Sequence, residues 1–185
     1  MHEIVAAHAD RCTSEERARL KRALTEDVPE SEGFITASVE RMSVLINALL
    51  KLSQVGHRTL KPELISMKAL VQSLLDGMAR QIKEKNATMV VGDLPDVTAD
   101  LTAMEQIMGN LLDNAVKYLV PERPGKVEIS GQRVNGNVVY HVSDNGCGIS
   151  ADDMPRLFQM FRRLGRQDVP GDGVGLAYAK ALVKR

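Results

Sequence analysis

One long amphipathic segment constrains the fold of this chain more than any other feature of its sequence. Residues 29–55 predict a helix whose apolar side chains recur at steps of three and four, at Ile35, Val39, Met42, Ile46 and Leu49. A stripe of this kind over about three heptads requires a partner helix. The preceding segment, residues 12–26, begins with a capping box of Thr13 and Glu16, but it is too weakly apolar to cover the stripe. We therefore expect residues 1–56 to be part of a helical hairpin in a dimerising bundle, completed by a second copy or by a segment outside this sequence.

The pattern changes to mixed helix and strand after a linker at residues 57–62. Strands are predicted at residues 63–65, 88–91, 126–134 and 138–143, and helices at residues 66–82, 100–115, 152–161 and 174–185. Asn135-Gly136 is a strong signal for a two-residue hairpin turn between the last two strands. This order predicts one helical layer on a mixed sheet. The expected fold class is therefore α+β, with the helical hairpin followed by an α/β sandwich over residues 63–185.

Composition excludes several classes of function. The 185 residues carry 24 basic and 24 acidic side chains, a balance that argues against a general binder of nucleic acid or of anionic membranes. Aromatic residues make up only 3% of the chain, so a stacking groove for single-stranded nucleic acid is not expected. Cys12 and Cys147 do not have metal-ligand spacing and are expected to be free thiols. With no signal peptide and no apolar run of about 18 residues, we expect a cytoplasmic domain without direct membrane contact.

Two asparagines on one predicted helix are the first candidate for chemistry. Asn110 and Asn114 lie one helical turn apart, with Lys117 and Tyr118 next to them. Neutral amide oxygens of this kind suit Mg²⁺, which prefers hard oxygen ligands and keeps several waters and phosphate oxygens. A polar helix face in contact with solvent has the same pattern, so the asparagines alone leave both interpretations open.

Two glycine-rich loops are the second candidate. The loop from Asp144 to Ile149 directly follows a strand, and a carboxylate there can accept a hydrogen bond from an exocyclic amine such as that of adenine. An ordinary Asn-Gly turn is the alternative. The glycines of residues 171–175 open the last helix, where backbone N–H groups form a natural phosphate site. This second loop is neither a Walker A motif nor a dinucleotide fingerprint.

In this order, the asparagine helix, the first glycine loop, Phe158 with Phe161, and the second glycine loop resemble the N, G1, F and G2 boxes of the histidine-kinase catalytic ATPase domain. That domain belongs to the GHKL superfamily and has the Bergerat fold. The resemblance covers residues 57–185. In addition, residues 41–53 are similar to the second helix of the family's dimerisation and phosphotransfer domain.

The resemblance implies a role for each position. Asn110 and Asn114 would hold Mg²⁺ and the phosphates of ATP, with Lys117 on phosphate and Tyr118 against adenine. The other implied nucleotide contacts are Asp144 on the adenine amine, Gly146, Gly148 and Ile149 around the base, Phe158, Phe161 and Arg163 in the lid, and Gly171, Gly173, Val174, Gly175 and Leu176 at the phosphates. Catalysis would consist mainly of positioning and of charge neutralisation by Mg²⁺ and Lys117.

The sequence departs from the family at both ends. The family's phosphoacceptor box reads His-Glu/Asp-x-Arg-x-Pro-Leu, and His2 begins a similar segment, but Val5, Ala7 and His8 replace its Arg, Pro and Leu. The acceptor histidine is therefore expected upstream of this sequence. At the other end, the sequence stops before the family's Gly-Gly and its last two strands. We accordingly expect an ATP-binding domain that is truncated at its C-terminus.

The function implied by the resemblance is that of a two-component sensor histidine kinase core. Such a core binds Mg-ATP as a homodimer and transfers the γ-phosphate to a histidine, for relay to an aspartate of a response regulator receiver domain. Another GHKL-type ATPase and a non-catalytic dimerisation or nucleotide-binding module are the alternatives. The helix at residues 29–55 favours the kinase, because the other ATPases of the superfamily lack a dimerising helix before the ATPase domain. The parent protein would be cytoplasmic, with or without a membrane anchor.

Overall fold

The computed structural model describes residues 13–57, 59–162 and 173–184, except the side chains of residue 41 and residues 51–57. The chain divides into two units, residues 1–47 and residues 48–185. The first described segments are α1 (Ser14–Arg22), a π-helical turn (Ala23–Asp27) and α2 (Val28–His57). The unit boundary therefore falls inside α2, and the predicted division into residues 1–56, 57–62 and 63–185 stays a prediction.

The capping box at the start of α1 is confirmed. The Thr13 hydroxyl oxygen accepts a hydrogen bond of 3.3 Å from the Glu16 N–H, and the Glu16 carboxylate accepts one of 2.8 Å from the Thr13 N–H. The hydrogen bonds from the Thr13 backbone and then from its hydroxyl lower the pKa of Glu16. The predicted break between the segments of residues 12–26 and 29–55 is wrong, because the π-helical turn leads directly into α2. Pro29 is accommodated by the π-helical turn directly before it, in which the Val28 N–H donates five residues back to the Ala23 carbonyl oxygen, and its missing N–H costs one bond of the continuous helix.

Most of the large apolar side chains of α2 are exposed, as the sequence predicts for a helix that needs a partner. They are Phe34, Ile35, Val39, Met42, Leu45, Ile46, Leu49 and Leu50. By length and composition alone, Ser14–Leu50 would also suffice to cross a membrane, so the expectation that no such run exists is wrong. A single helix of this kind is only a weak indication of a membrane span.

The remaining elements alternate between helix and strand. They are β1 (Pro62–Ile65), α3 (Met67–Gly77), α4 (Ala79–Glu84), β2 (Ala87–Val91), β3 (Val97–Asp100), α5 (Leu101–Lys117), β4 (Gly125–Val134), β5 (Asn137–Asp144), a 3₁₀ turn (Met154–Arg156) and α6 (Gly175–Val183). One sheet has the strand order β2-β4-β5, with β2 parallel to β4 and β5 antiparallel to it. A second, two-stranded sheet pairs β1 with β3 in antiparallel. The predicted α+β class is confirmed.

The hairpin between β4 and β5 forms as the sequence predicts. Val134 pairs with Asn137, so the turn has two residues. Asn135 and Gly136 have φ angles of 50° and 81°. Positive φ at both central residues is what a type I′ turn requires. This turn sets the register that brings Asp144, at the end of β5, opposite Val127 of β4.

Three details of the predicted secondary structure are wrong. The short strand β3 forms where no strand is predicted, since its pairing with β1 is not signalled by any local pattern. The predicted helix 66–82 breaks at Met78, and Ser66 gives it no side-chain cap. The predicted helix 152–161 is reduced to one 3₁₀ turn, since Pro155 has no N–H to donate and Phe161 has a φ of 60°.

The core lies between the helices α3 and α5 and the larger sheet. Helix α5 buries Met108, Leu112, Ala115 and Val116, in one cluster with Val127 and Ile129 of β4. Asn110, Asn114 and Lys117 are half-buried on the adjoining face of the same helix. The amphipathic pattern of α5 therefore fixes the rotation of the helix and with it the direction of its polar residues.

Tyr140 attaches β5 to the loop before β3. Its hydroxyl donates a hydrogen bond to the Pro95 carbonyl oxygen. Burial raises the pKa of this hydroxyl above its usual value of about 10, while Arg133 acts to lower the pKa and Asp96 acts to raise it. The neutral hydroxyl is thus the form that the folded chain favours.

Replacing Tyr140 by phenylalanine is expected to lower the free energy of unfolding by about 1 kcal/mol at neutral pH, because one hydrogen bond is lost while the ring remains. Since the folded-state pKa is raised, the hydroxyl stabilises the fold below about pH 10 and loses this contribution as the pH rises through the folded-state pKa. The difference between the variant and the natural protein should therefore shrink in alkali. Urea unfolding near neutral pH and above about pH 10 measures both values. An unchanged difference would contradict the assignment.

Candidate nucleotide-binding site

The polar face of α5 carries the two predicted asparagines. Asn110 Nδ2 donates a hydrogen bond of 2.7 Å to the Gln106 carbonyl oxygen one turn earlier. Among the described residues, the Asn114 side chain makes no hydrogen bond, so both its polar atoms remain available. The Lys117 ammonium lies 5.6 Å from the centroid of the Tyr118 ring, at the end of the helix. This face therefore offers two amides and one cation over two helical turns.

The first glycine-rich loop packs against the C-terminal end of α5. The Asp144 Oδ1 atom accepts a hydrogen bond of 2.9 Å from the Gly146 N–H, and the Cys147 N–H donates one of 3.0 Å to the Tyr118 carbonyl oxygen. A Cβ atom added at the buried Gly146 would lie 2.5 Å from that carbonyl oxygen and 2.8 Å from Asp144 Oδ1. Only glycine permits this close approach. Gly146 therefore packs against both the Asp144 carboxylate and the Tyr118 carbonyl oxygen.

The second glycine-rich loop meets the middle of α5. A Cβ atom added at Gly175, the first residue of α6, would lie 2.7 Å from Asn110 Oδ1. Val174 is buried and Leu176 half-buried at the same end of α6. The unbonded N–H groups at a helix start attract anions. The Asn110 oxygen and the start of α6 are thus neighbours.

One helix therefore connects the two loops. Asn110 and Tyr118 are eight residues apart, which corresponds to about 12 Å along α5. The carboxylate of Asp144 is at one end of this span, and the start of α6 is at the other. A ligand with a base at one end and phosphates at the other matches this division of donors and acceptors.

The two predicted phenylalanines are exposed and are not core residues, with 43% of the surface of each accessible. The Lys180 ammonium lies 4.3 Å from the centroid of the Phe158 ring, a cation–π contact with α6. The Phe161 N–H donates a hydrogen bond of 2.9 Å to the Gly173 carbonyl oxygen. This bond joins the two ends of residues 162–172, of which residues 163–172 lie outside the described part of the chain.

Comparison with known proteins gives consistent matches. Residues 99–185 match the family described as histidine kinase-, DNA gyrase B- and HSP90-like ATPase. The phytochrome-like protein Cph1 of Synechocystis sp. is 31% identical over 167 residues, or 90% of this chain and 22% of that protein. The circadian input-output histidine kinase CikA of Synechococcus elongatus is 33% identical over 171 residues, or 87% of this chain and 22% of that protein. The solved structure of the Acinetobacter baumannii histidine kinase AdeS has a TM-score of 0.63 at 28% identity, covering 91% of this chain and 81% of that one.

Residues 99–185 form an ATP-binding domain of the histidine kinase-, DNA gyrase B- and HSP90-like ATPase family, and the similar proteins include histidine kinases. The chain spans 22% of the length of each of the two curated relatives. A solved structure of full-length ShkA in complex with AMPPNP is also similar, with a TM-score of 0.64 and 26% identity over 84% of this chain and 34% of that one.

The predicted site residues of the kinase domain fall into three groups. Contacts around α5 bring together Asn110, Tyr118, Asp144, Gly146 and Gly175. Among the other described residues, Lys117 contacts the Tyr118 ring, Phe158 contacts Lys180 of α6 and Phe161 is hydrogen-bonded to Gly173, while Asn114, Gly148, Ile149, Val174 and Leu176 lie on the same helix face, in the two loops or at the start of α6. Arg163 and Gly171 are outside the described residues.

The histidines leave the phosphoacceptor unassigned. His2 and His8 lie outside the described residues. His57 ends α2, and its side chain is not described. His141 lies within β5, as predicted, but its side chain is exposed.

Sequence reasoning missed the residues that brace the first glycine-rich loop of the kinase domain. Arg123 Nε donates to the Asn145 carbonyl oxygen at 2.9 Å, and Arg123 Nη2 donates to the Gly146 carbonyl oxygen at 2.8 Å. The Asn145 side chain accepts from the Lys126 N–H at 2.8 Å and donates to the Pro124 carbonyl oxygen at 3.0 Å. The Asn-Gly pair signals a turn but not these partners, and nothing local marks Arg123. Gln106 and Tyr178 were missed for the same reason.

Proposed function

We propose that this chain is the core of a two-component sensor histidine kinase that binds Mg-ATP. The γ-phosphate is transferred to a histidine and then to an aspartate of a response regulator receiver domain. The observation that carries the proposal is the double contact of α5, through Asn110 with Gly175 and through Tyr118 with Gly146. These contacts bring one carboxylate and one helix start, which would bind phosphate, to the two ends of a single helix.

The adenine end of the site is assigned to Asp144. One of its carboxylate oxygens is engaged by the Gly146 N–H, so the other is available to the exocyclic amine of adenine. Tyr118 and Ile149 would lie against the base, and Gly146 and Gly148 leave room for it. Ile149 is 47% exposed, which is consistent with an apolar side chain that a ligand covers.

The phosphate end is assigned to the start of α6 and the face of α5. The N–H groups of Val174, Gly175 and Leu176 would bind phosphate oxygens, as helix starts do. Lys117 lies between Asn114 and Tyr118, and its long side chain would reach back along α5 to add a cation at the phosphates. Phosphoryl transfer needs positioning and charge neutralisation more than covalent chemistry by the protein, and these groups supply both.

The donor set of α5 fits Mg²⁺. Asn110 Oδ1 and the Asn114 amide offer hard, neutral oxygen atoms one turn apart. Within the described ranges, no group of three His, Cys, Asp or Glu residues could hold a metal. The pair of asparagine oxygens suits an ion whose remaining ligands are phosphate oxygens and water. When bound, Mg²⁺ would supply charge neutralisation at the phosphates, while Asn110 and Asn114 orient them.

The helical region supports a histidine kinase over another ATPase of the superfamily. The matches to Cph1 and CikA cover 90% and 87% of this chain, more than the ATPase domain alone. The exposed apolar stripe of α2 is suited to a bundle formed with a second copy, which we propose as a homodimer. We further propose residues 1–56 as the dimerising part and residues 63–185 as the ATP-binding domain, in the cytoplasm where ATP is found.

Replacing Asn114 by alanine is expected to weaken Mg-ATP binding by at least about tenfold, because an amide that holds the metal is lost. Thermal stability should change little, since alanine is a better helix former than asparagine. Isothermal titration calorimetry with Mg-ATP and differential scanning calorimetry measure the two effects. Asn47→Ala is the matched control, because Asn47 is an exposed asparagine within α2.

Equal affinity of the natural chain and Asn114→Ala for Mg-ATP would contradict the assigned site. Phosphotransfer is tested with a chain extended upstream to include a His-Glu/Asp box, incubated with γ-labelled ATP. Acid-labile and base-stable label on that chain supports the kinase. Release of phosphate without such label would favour a different ATPase.

A further inference from the structure

Gln106 of α5 joins two residues that the sequence leaves unconnected. Its side-chain oxygen Oε1 accepts a hydrogen bond of 2.9 Å from the Tyr178 hydroxyl on α6. Its backbone carbonyl oxygen accepts the hydrogen bond of 2.7 Å from Asn110 Nδ2. All three side chains are half-buried. Tyr178 is thus linked, through one residue, to the asparagine at the phosphate end of the site.

The second link between the same helices involves Asn110 and Gly175. Because Asn110 Nδ2 is bound to the Gln106 carbonyl, its Oδ1 faces the start of α6, where a Cβ atom at Gly175 would be 2.7 Å away. Gly175 and Tyr178 are three residues apart on α6, and Gln106 and Asn110 are four apart on α5. Residues at these spacings share a helix face. Two contacts about one turn apart therefore join the facing sides of α5 and α6.

Two contacts between α5 and α6 constrain the orientation of α6 more closely than one contact does. The Asn110–Gly175 approach sets the distance between the helices at the start of α6, and the burial of Val174 and Ala179 sets its apolar face. The bond from Tyr178 to Gln106 adds a directional contact to this packing, since the hydroxyl reaches its acceptor only within a narrow range of rotations of α6. Rotation matters here because the N–H groups at a helix start bind phosphate only when they point at it.

We propose that Tyr178 is a positioning residue for the phosphate end of the nucleotide site. Its hydroxyl holds the first turn of α6 in register with Asn110, so that the helix start and the Asn110 oxygen converge on one phosphate group. Tyr178 itself does not touch the ligand in this arrangement. The assignment rests on the proposed function, in that the ligand is a nucleotide with Mg²⁺.

A packing role alone would not need the hydroxyl, because phenylalanine fills the same space. Tyr178→Phe therefore separates positioning from packing. Tyr140→Phe is the matched control, since the Tyr140 hydroxyl also donates to a carbonyl oxygen, but on Pro95 and between β5 and a loop. Gln106→Met removes the acceptor while keeping the length of the side chain.

The first test is calorimetric titration of each variant with Mg-ATP and with adenosine, which lacks phosphates. Tyr178→Phe is expected to weaken Mg-ATP binding by about 3- to 10-fold, the effect of one hydrogen bond, and to leave adenosine binding unchanged. Gln106→Met should give the same pattern, and the double variant should be no weaker than the weaker single variant. Tyr140→Phe should bind both ligands as the natural chain does.

The second test uses hydrogen exchange in the absence of nucleotide. The amide of residue 178 donates to the Val174 carbonyl oxygen at 2.9 Å in the first turn of α6. Its exchange should accelerate in Tyr178→Phe and not in Tyr140→Phe. A natural chain that fails to bind Mg-ATP would refute the proposed function, while this exchange result would still decide the register of α6.

Two outcomes would overturn the role of Tyr178. One is a Tyr178→Phe variant with unchanged Mg-ATP affinity and unchanged exchange in α6. The other is an equal loss of Mg-ATP and adenosine binding, because a general loss of packing would affect both ligands alike.

Discussion

Replacing Asp144 by asparagine is expected to weaken ATP binding by about 10- to 100-fold while the first glycine-rich loop stays folded. Asparagine retains an oxygen that can accept the hydrogen bond from the Gly146 N–H, which is 2.9 Å long in the natural chain. Its Nδ2 then replaces the second carboxylate oxygen and presents a donor to the adenine amine, which is also a donor. A hydrogen bond to a charged group contributes about 1.5–3 kcal/mol, and each 1.4 kcal/mol is about tenfold in affinity.

A nucleotide with a different base tests the same prediction through a gain of binding. Inosine triphosphate has a carbonyl oxygen where adenine has its amine, so it should bind Asp144→Asn better than it binds the natural chain. Titration of both proteins with ATP and with inosine triphosphate, each with Mg²⁺, measures how far the substitution shifts the binding preference from ATP to inosine triphosphate. Parallel losses for the two nucleotides would indicate damage to the loop instead. Unchanged ATP affinity would remove Asp144 from the adenine site.

The fold and the candidate site could be predicted where the signals are local. The hairpin follows from Asn135-Gly136, and the N-terminal cap of α5 follows from Asp100, whose Oδ1 accepts from the Ala103 N–H at 2.9 Å. The half-buried face of Asn110 and Asn114 follows from the apolar residues that α5 buries around them. Each of these depends on residues within one or two turns of each other.

The contacts that could not be predicted from the sequence join residues that are far apart along the chain. Arg123 braces Gly146 from 23 residues away, and Tyr178 bonds to Gln106 across 72 residues. No periodicity or spacing encodes such pairs, because the fold alone brings them together. The short strand β3 is a similar case, since in the described part of the chain it pairs with β1, more than 30 residues earlier. The contribution of the structure is therefore the set of contacts that orient the predicted residues.

Replacing Gly175 by alanine is expected to reduce Mg-ATP affinity by about 100-fold with only a small loss of stability. The new Cβ would lie 2.7 Å from Asn110 Oδ1, 3.4 Å from its Cγ and 3.8 Å from its Cβ. Because the obstructed atom is the end of a side chain, Asn110 can rotate away and the fold survives. The rotation gives up the hydrogen bond to Gln106 and moves the oxygen from the phosphate end. Displacing a group that holds or orients a metal costs about 10- to 100-fold in affinity.

Gly109→Ala is the matched control, on α5 directly before Asn110. A Cβ atom there would meet only Leu74 Cδ2, at 3.9 Å, which is an ordinary contact. This variant should raise the free energy of unfolding by about 0.5–1 kcal/mol, the usual gain in a helix interior, and leave Mg-ATP affinity unchanged. Calorimetric titration and urea unfolding of both variants give the comparison. If Gly175→Ala binds Mg-ATP as tightly as Gly109→Ala does, the contact between Asn110 and the start of α6 does not form the phosphate site.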